Sequence, residues 1–349
     1  DAATLLGGQA MKTLLRVLVT IAVLLVTLWW ALAVYYAGPG PILLHVALAA
    51  SFALGTVALL IWMRPFRLAL GVWVAALAII LFWWSNIHPS NDRDWQPDVV
   101  RLPSAEVQGN NLIVHNLRNA DYRTETDFTV RYEDRTYDLS KLRGLDLFMI
   151  YWGSPMIAHT ILSWQFDGSP PLAISIETRK ENGEEYSTIG GFFKQYEIIY
   201  VVADERDVIR LRTNYRAEGA GEEVYLYRLK TPIPQVRALL LEYVRSMNEL
   251  VDHPEFYNAL TDNCTTSIRR LVVHANPDAP PFDWRLIANG YGDELLYERG
   301  NVETRMPFIE LKARSRINAK AKAADLDPLF SLRIREGVPD PRLLWPRPS

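Results

Sequence analysis

The feature that most restricts how this chain can fold is the distribution of charge over its first quarter. Between Met11 and Ser85 the only charged side chains are Lys12, Arg16, Arg64 and Arg67, whereas from Asn86 onward charges recur every few residues. A bilayer core of roughly 30 Å takes about 20 consecutive apolar residues in a helix. Three runs meet or approach that length. The first covers residues 13–36 and ends at Gly38-Pro39-Gly40-Pro41, which a helix does not cross. The second covers 42–63 and stops at Arg64-Pro65, and the third covers 68–85. A cleavable leader has one shorter apolar stretch, so all three are expected to span. Trp29-Trp30, Tyr35-Tyr36 and Trp83-Trp84 suit an interfacial aromatic belt on one side.

Lys12 and Arg16 flank the first run, Arg64 and Arg67 separate the second from the third, and the Gly-Pro turn carries no positive charge. The positive-inside rule then puts the N-terminus in the cytoplasm and everything after Ser85 on the far side, which is the periplasm if the membrane is a bacterial inner membrane. If one run were instead a buried core helix, the polar part would face the cytoplasm. His45 lies one turn inside the second run and is expected to be satisfied at the interface rather than functional. Residues 1–10 precede Met11 and are expected to be an expression scar.

Residues 86–103 are rich in Pro, Asn and Asp without periodicity and read as a linker. The segments NNLIVHNL, TDFTVRYEDRTYDL, IAHTILSWQF, PLAISIET, YEIIYVVA, DVIRLRT and EVYLYRLK follow, rich in β-branched and aromatic residues, and predict strands. After Thr231-Pro232 the period becomes helical: Val236, Leu239, Leu240, Tyr243, Val244, Met247 and Val251 predict a helix over 234–251. A second helix is predicted to begin at Asp262-Asn263, both good N-cap types, and to carry CTTSIRRLVVHA. The expected organisation is a scar at 1–10, a three-helix anchor at 11–85, a linker at 86–103, a domain at 104–276, and an irregular extension at 277–349 with one short helix, packed on that domain.

A net charge of −3, with no basic tract, gives no expectation of nucleic acid. Cys264 is the only cysteine, so neither an internal disulfide nor a cysteine-rich zinc site is possible, and no metal site is expected. In the first turn of a helix, a cysteine faces unsatisfied backbone N–H groups and the positive end of the dipole, both of which favour thiolate. A base is still needed. His274 is ten residues along the same helix, about 15 Å away, and cannot reach; His115 and His253 are not excluded by distance. His159 lies in a strand that turns at Asp167-Gly168-Ser169 into the next. A hairpin centred on Gly168 puts position 159 opposite Glu177, which could orient the imidazole; a slip of one residue would place Ile176 or Thr178 there instead. Against a catalytic reading, a lone cysteine is often a small buried hydrophobe.

The segments NLRNADYRTETDF, IAHTILSWQF, ISIETRKENGEEYS, FFKQYEIIYVVADERDVIRLRTNYR and PEFYNALTDNCTTSI together resemble the Lnb family of bacterial lipoprotein N-acyltransferases over about residues 107–276. The resemblance implies a membrane-anchored α+β protein whose outward-facing domain is a circularly permuted, NlpC-type papain-like fold with an antiparallel sheet. It implies Cys264 as nucleophile and His159 as base, with Glu177 as third member, although Glu181 could take that place. The implied reaction passes an acyl chain from a phospholipid through a Cys264 thioester to the α-amine of a diacylated apolipoprotein, without a cofactor. The Cys264 N–H and the Tyr257 hydroxyl are expected at the oxyanion, and Arg118 and Arg179 at a phosphate headgroup. Tyr257 suits core packing equally, and both arginines suit structural ion pairs. The competing expectations are an anchored cysteine peptidase or amidase acting on cell-wall peptide and a non-catalytic scaffold that binds envelope lipoproteins.

Overall fold

The computed structural model of the chain describes residues 2–344 apart from 220, 262 and 277, with backbone alone at 2–8, 218, 343 and 344. The N-cap expectation at Asp262, the first residue of the expected extension and the end of the tail therefore lie outside the described residues. The chain divides into two compact units, residues 1–90 with 187–196, and residues 91–186 with 197–349.

The first unit holds α1 (Ala2–Ala37), α2 (Ile42–Trp62) and α3 (Phe66–Ser85). All three are long and apolar enough to cross a membrane, as the run lengths predicted, and α1 continues back through residues 2–10. Most of their large apolar side chains are exposed, which suits a lipid environment and not water. His45 is satisfied at the end of α1, with Nδ1 3.1 Å from the Tyr35 carbonyl and Nε2 2.9 Å from that of Gly40. Residues 187–196 join this unit through Phe193, whose ring stacks on Tyr36 and meets Trp29 at 5.0 Å. Lys194 Nζ donates to the carbonyls of Trp84 and Ile87.

The second unit is built on ten strands. They are β1 (Ser104–Gln108), β2 (Asn111–Arg118), β3 (Asp121–Tyr122), β4 (Phe128–Thr129), β5 (Tyr132–Asp138), β6 (Leu142–Tyr151), β7 (Ala158–Phe166), β8 (Ser169–Arg179), β9 (Glu197–Ala203) and β10 (Glu223–Arg228). Eight of them form one sheet in the order β1-β2-β9-β8-β7-β6-β10, with β5 also on β2, while β3 and β4 pair separately. Pairing is antiparallel except between β2 and β9, so the sheet is mixed. The short helices α4 (Glu205–Arg210) and α5 (Arg216–Gly219) lie between β9 and β10, followed after β10 by α6 (Ile233–Asp252) and α7 (Cys264–Ala275).

Alternation along the central strands sorts side chains into two cores. Leu162 and Trp164 of β7, Ile174 and Ile176 of β8 and Tyr200 of β9 join Leu239, Leu240 and Tyr243 of α6 on one face. Ile161, Ala173, Ile199 and Val201 point the other way, onto Trp95, Val99, Ile209 and Phe330. Trp164 anchors the first core: it is fully buried, donates Nε1–H to the Val236 carbonyl at 3.1 Å and meets the Tyr243 ring edge-on at 5.0 Å.

Three segments differ from expectation. DVIRLRT is helical, not extended: the Asp204 side chain accepts from Arg206 N–H at the start of α4, and the chain runs on into a π-helical turn over Leu211–Tyr215. Burial of Val208 and Ile209 against the sheet, and of Leu211 against Ala120 and Tyr122, overrides their β-propensity. From Asn91 on, the residues read as linker pack on the second unit, with Trp95 5 % exposed and bridged to Glu181. The tail holds four short α-helices where one was expected: α8 (Gly292–Glu298), α9 (Phe308–Ser315), α10 (Asn318–Ala323) and α11 (Phe330–Arg333).

Candidate active site

The β7–β8 hairpin turns at Asp167-Gly168, with Gly168 at φ +75°, and one irregularity near Gln165 separates the turn pairing from the ladder above it. The ladder runs Trp164↔Leu172 to Ile161↔Ser175, and two more residues of that register bring His159 opposite Glu177. The side chains meet: His159 Nε2 lies 3.1 Å from Glu177 Oε1 and 2.7 Å from Ser175 Oγ, and the Ser175 hydroxyl donates to Glu177 Oε1 at 2.7 Å. With Nε2–H so engaged, Nδ1 is left for the thiol. Burial alone would hold the imidazole pKa down, but the Glu177 charge and the bonds to Cys264 and Glu177 outweigh it and raise the pKa to about 9.

Glu177 is held in turn by Arg212, whose Nη2 is 3.0 Å from Oε1 and whose Nη1 is 2.9 Å from Glu222. Burial works to raise the Glu177 pKa, yet His159 and Arg212 hold it well below the usual carboxylate range. Arg212 sits in the π-helical turn, the kind of irregularity that often marks functional positions. The local sequence carries no signal for it, because its place depends on how α4 meets the sheet.

Cys264 is the first residue of α7. Asn263 caps the helix, its side chain accepting from the N–H groups of Thr265 and Thr266 while Thr266 Oγ1 accepts from Asn263 N–H. Ser267 N–H bonds to the Asn263 carbonyl. The Cys264 N–H is thereby left without a partner among the described residues. The side chain is 7 % exposed, and burial pushes its pKa up, but the hydrogen bond to His159 and the imidazolium charge win and bring it to about 7. Thr160 adds to this from its backbone and from its hydroxyl, whose oxygen is buried without a hydrogen-bond partner among the described residues. A thiol lowered to about 7 beside an imidazole raised to about 9 forms a thiolate–imidazolium pair in the interval between.

The Asn289 side chain fixes the distance between the two elements. It makes a two-way clamp on Ala158, accepting from its N–H at 2.8 Å and donating to its carbonyl at 2.6 Å, and donates at 2.5 Å to Thr265 Oγ1. The residue before His159 and the residue after Cys264 are thus tied to one amide. The segment around Asn289 is irregular, and nothing in its pattern marks that residue.

The remaining expectations fall out as follows. Tyr257 is half-buried beside the thiol, hydrogen-bonded to Tyr186, and its pKa is raised by burial and by the Cys264 charge. Arg118 and Arg179 are not placed to take a phosphate. Arg118 is 5 % exposed and forks onto Asp207 at 2.8 and 2.9 Å, with Nη1 on the Asp98 carbonyl. Arg179 is 2 % exposed, stacks on Trp95 and donates to the carbonyls of Val99 and Val100 and to Asn91. Glu181 pairs with Arg93, away from His159. His115 is bound to Asp134 at an exposed edge, and His274 is exposed beside Glu242. Among the described residues no group of His, Cys, Asp or Glu is arranged to hold a metal ion. A cavity of about 810 Å³ opens at the turn end of the hairpin, lined by Phe166, Gly168 and Arg210; it touches neither His159 nor Cys264.

The arrangement can generate a thiolate, hold an imidazolium next to it to protonate a leaving group, and offer a free N–H to a developing oxyanion. In comparison with known proteins, residues 128–290 match the family model of the Lnb N-terminal periplasmic domain, a stretch that includes His159, Glu177, Arg212, Cys264 and Asn289. No curated protein and no solved structure matches the chain. On that match, together with three helices fit to cross a membrane, the chain is a membrane protein that carries a domain of the Lnb N-terminal periplasmic type over residues 128–290.

Proposed function

We propose that this protein is a lipoprotein N-acyltransferase of the bacterial inner membrane, multi-pass, with Cys264 as nucleophile. Its donor is a phospholipid and its acceptor the N-terminal diacylglyceryl-cysteine of an apolipoprotein. The observation that carries the reading is the buried thiol–imidazole pair at the start of α7, in a domain of this family joined to a three-helix anchor.

In the first step the Cys264 thiolate attacks a phospholipid ester carbonyl. The oxyanion meets the Cys264 N–H, and the Tyr257 hydroxyl, whose pKa is raised by the Cys264 charge, is the second candidate donor. Collapse breaks the C–O bond, the imidazolium gives its proton to the departing glycerol oxygen, and a thioester and a lysophospholipid result. In the second step the acceptor α-amine attacks the thioester carbonyl, neutral His159 takes the ammonium proton, and the thiolate leaves. The product is an amide, and the imidazolium–thiolate pair is restored. Glu177 and Ser175 hold the imidazole tautomer and orientation through both steps. No cofactor enters the cycle.

The test is intact-mass spectrometry of the full chain in mixed micelles with phospholipid. An acyl adduct on Cys264 with stoichiometric lysophospholipid, discharged onto a synthetic diacylglyceryl-cysteine peptide, is the expected result. No adduct on a natively folded protein refutes the reading, and discharge only to free fatty acid makes the protein a lipid hydrolase.

A further inference from the structure

A second cavity, of about 280 Å³, lies against the inner end of the site. Thr160, Thr265 and Asn289 form one end of its wall. Thr265 Oγ1 is 3.8 Å from Cys264 Sγ, and Thr160 lies near enough to lower the thiol's pKa, so the cavity begins at the nucleophile's immediate neighbours. From there it follows α7 past Ile268 and Val272 to Asn276, with Leu147, Leu162 and Leu295 across from the helix. Eleven residues of helix rise make that path about 16 Å long.

The far end is bordered by Pro280 and Arg285. The Arg285 guanidinium is already engaged by Asp283 and Glu298, and Arg299 near it faces Asp283; Arg269, which also lines the cavity, donates to the Pro280 carbonyl and is the cation there with no carboxylate beside it among the described residues. The loop that supplies Pro280 and Arg285 exposes three large apolar side chains: Phe282 at 64 %, Trp284 at 60 % and Ile287 at 59 %. A narrow apolar cleft that starts at a thiolate and opens beneath exposed aromatic and aliphatic residues has the chemistry of a hydrocarbon-chain site.

We propose that this cavity takes the acyl chain of the donor phospholipid, with the carbonyl carbon at Cys264 and the loop 280–287 as the lipid-facing mouth. The proposal rests on the acyl-transfer reading above. Chain length is then read by the depth of the cleft, and each methylene that enters raises the rate of reaction at the thiol about fourfold until the cleft is full.

The test uses the full chain in detergent and a series of alkyl methanethiosulfonates from methyl to dodecyl, all of which can react only with Cys264. Wild type is expected to show a dodecyl-to-methyl rate ratio well above tenfold, since the first two methylenes at about fourfold each already give about sixteenfold. Val272→Trp, which fills the cleft away from the thiol, is expected to bring that ratio near unity while the methyl rate stays within twofold; Ile268→Phe is the second variant if the first does not fold. Equal ratios in wild type and both variants overturn the proposal. Parallel runs with mixed-chain phospholipid separate it from the reading beneath it. Chain-dependent alkylation without any acyl adduct upholds the cleft and refutes acyl transfer, whereas an acyl adduct with the same chain distribution in wild type and variants upholds transfer and refutes the cleft.

Discussion

Replacing His159 by Gln removes the positive charge that holds the Cys264 thiolate while keeping a polar side chain next to Ser175. In the native protein the thiol sits at about 7, so half of it is ionised at pH 7. Without the imidazolium it returns to about its ordinary value of 9.0, because burial, which raises it, is then opposed by Thr160 alone. The thiolate fraction at pH 7 falls about 50-fold. Reactivity does not fall as far, since a more basic thiolate is a better nucleophile: with a Brønsted coefficient of about 0.4–0.5, two pKa units return roughly 6- to 10-fold. The expected loss in attack on a small aromatic disulfide at pH 7 is therefore about 5- to 8-fold. From about pH 8, where about a tenth of the variant's thiol is ionised, the order reverses and the variant reacts faster than wild type. Because Cys264 is the only cysteine, stopped-flow rates against pH report it alone. Crossing profiles, with midpoints near 7 for wild type and near 9 for the variant, are the expected result. Superimposable profiles would refute the view that His159 sets the charge state of the thiol.

Acyl-adduct formation should follow a bell, rising as Cys264 ionises near pH 7 and falling as His159 loses its proton near pH 9, since the leaving glycerol oxygen needs that proton; a pH-independent plateau beyond 9 would contradict the assignment. Arg212→Met leaves the part-buried Glu177 and the buried Glu222 without their shared guanidinium and is expected to cost about 3 kcal/mol in a denaturation measurement. Asn289→Ala should lower adduct formation about 100-fold by loosening the spacing of His159 and Cys264, while the midpoint of the thiol titration moves up. Arg179→Met should lower thermal stability and leave the concentration dependence on phospholipid unchanged, because its donors serve Val99, Val100 and Asn91.

The membrane spans were legible because run length and charge placement are local properties, and α1–α3 end where Gly-Pro and Arg-Pro end the apolar runs. The pairing of His159 with Glu177 was legible for a related reason. An antiparallel hairpin converts sequence symmetry about its turn into spatial opposition, and the irregularity near Gln165 leaves the ladder above it symmetric about Gly168. Ser175 follows from the same geometry, as the residue two before Glu177 on the same face. Arg212 and Asn289 were not legible, since each reaches the site from an irregular turn whose place is fixed by packing between distant segments. The misreading of DVIRLRT has the same source: its β-branched residues suit a strand, but the Asp204 cap and burial of one helical face decide otherwise. Arg118 and Arg179 illustrate the converse, because charge alone did not tell a buried guanidinium with protein acceptors from one free to meet a ligand.

The Asn289 clamp has a consequence for how the protein is made. The imidazole strand at Ala158 and the cysteine helix at Thr265 are joined by a residue that follows both in the chain, so while the polypeptide is being exported vectorially the thiol emerges before the side chain that sets its distance from its base. A nascent chain already carrying Cys264 in the bilayer's vicinity therefore lacks the assembled pair until the segment through Asn289 has crossed and docked. On the proposed function, this order along the chain would hold back assembly of the reactive pair until the segment through Asn289 has been translocated.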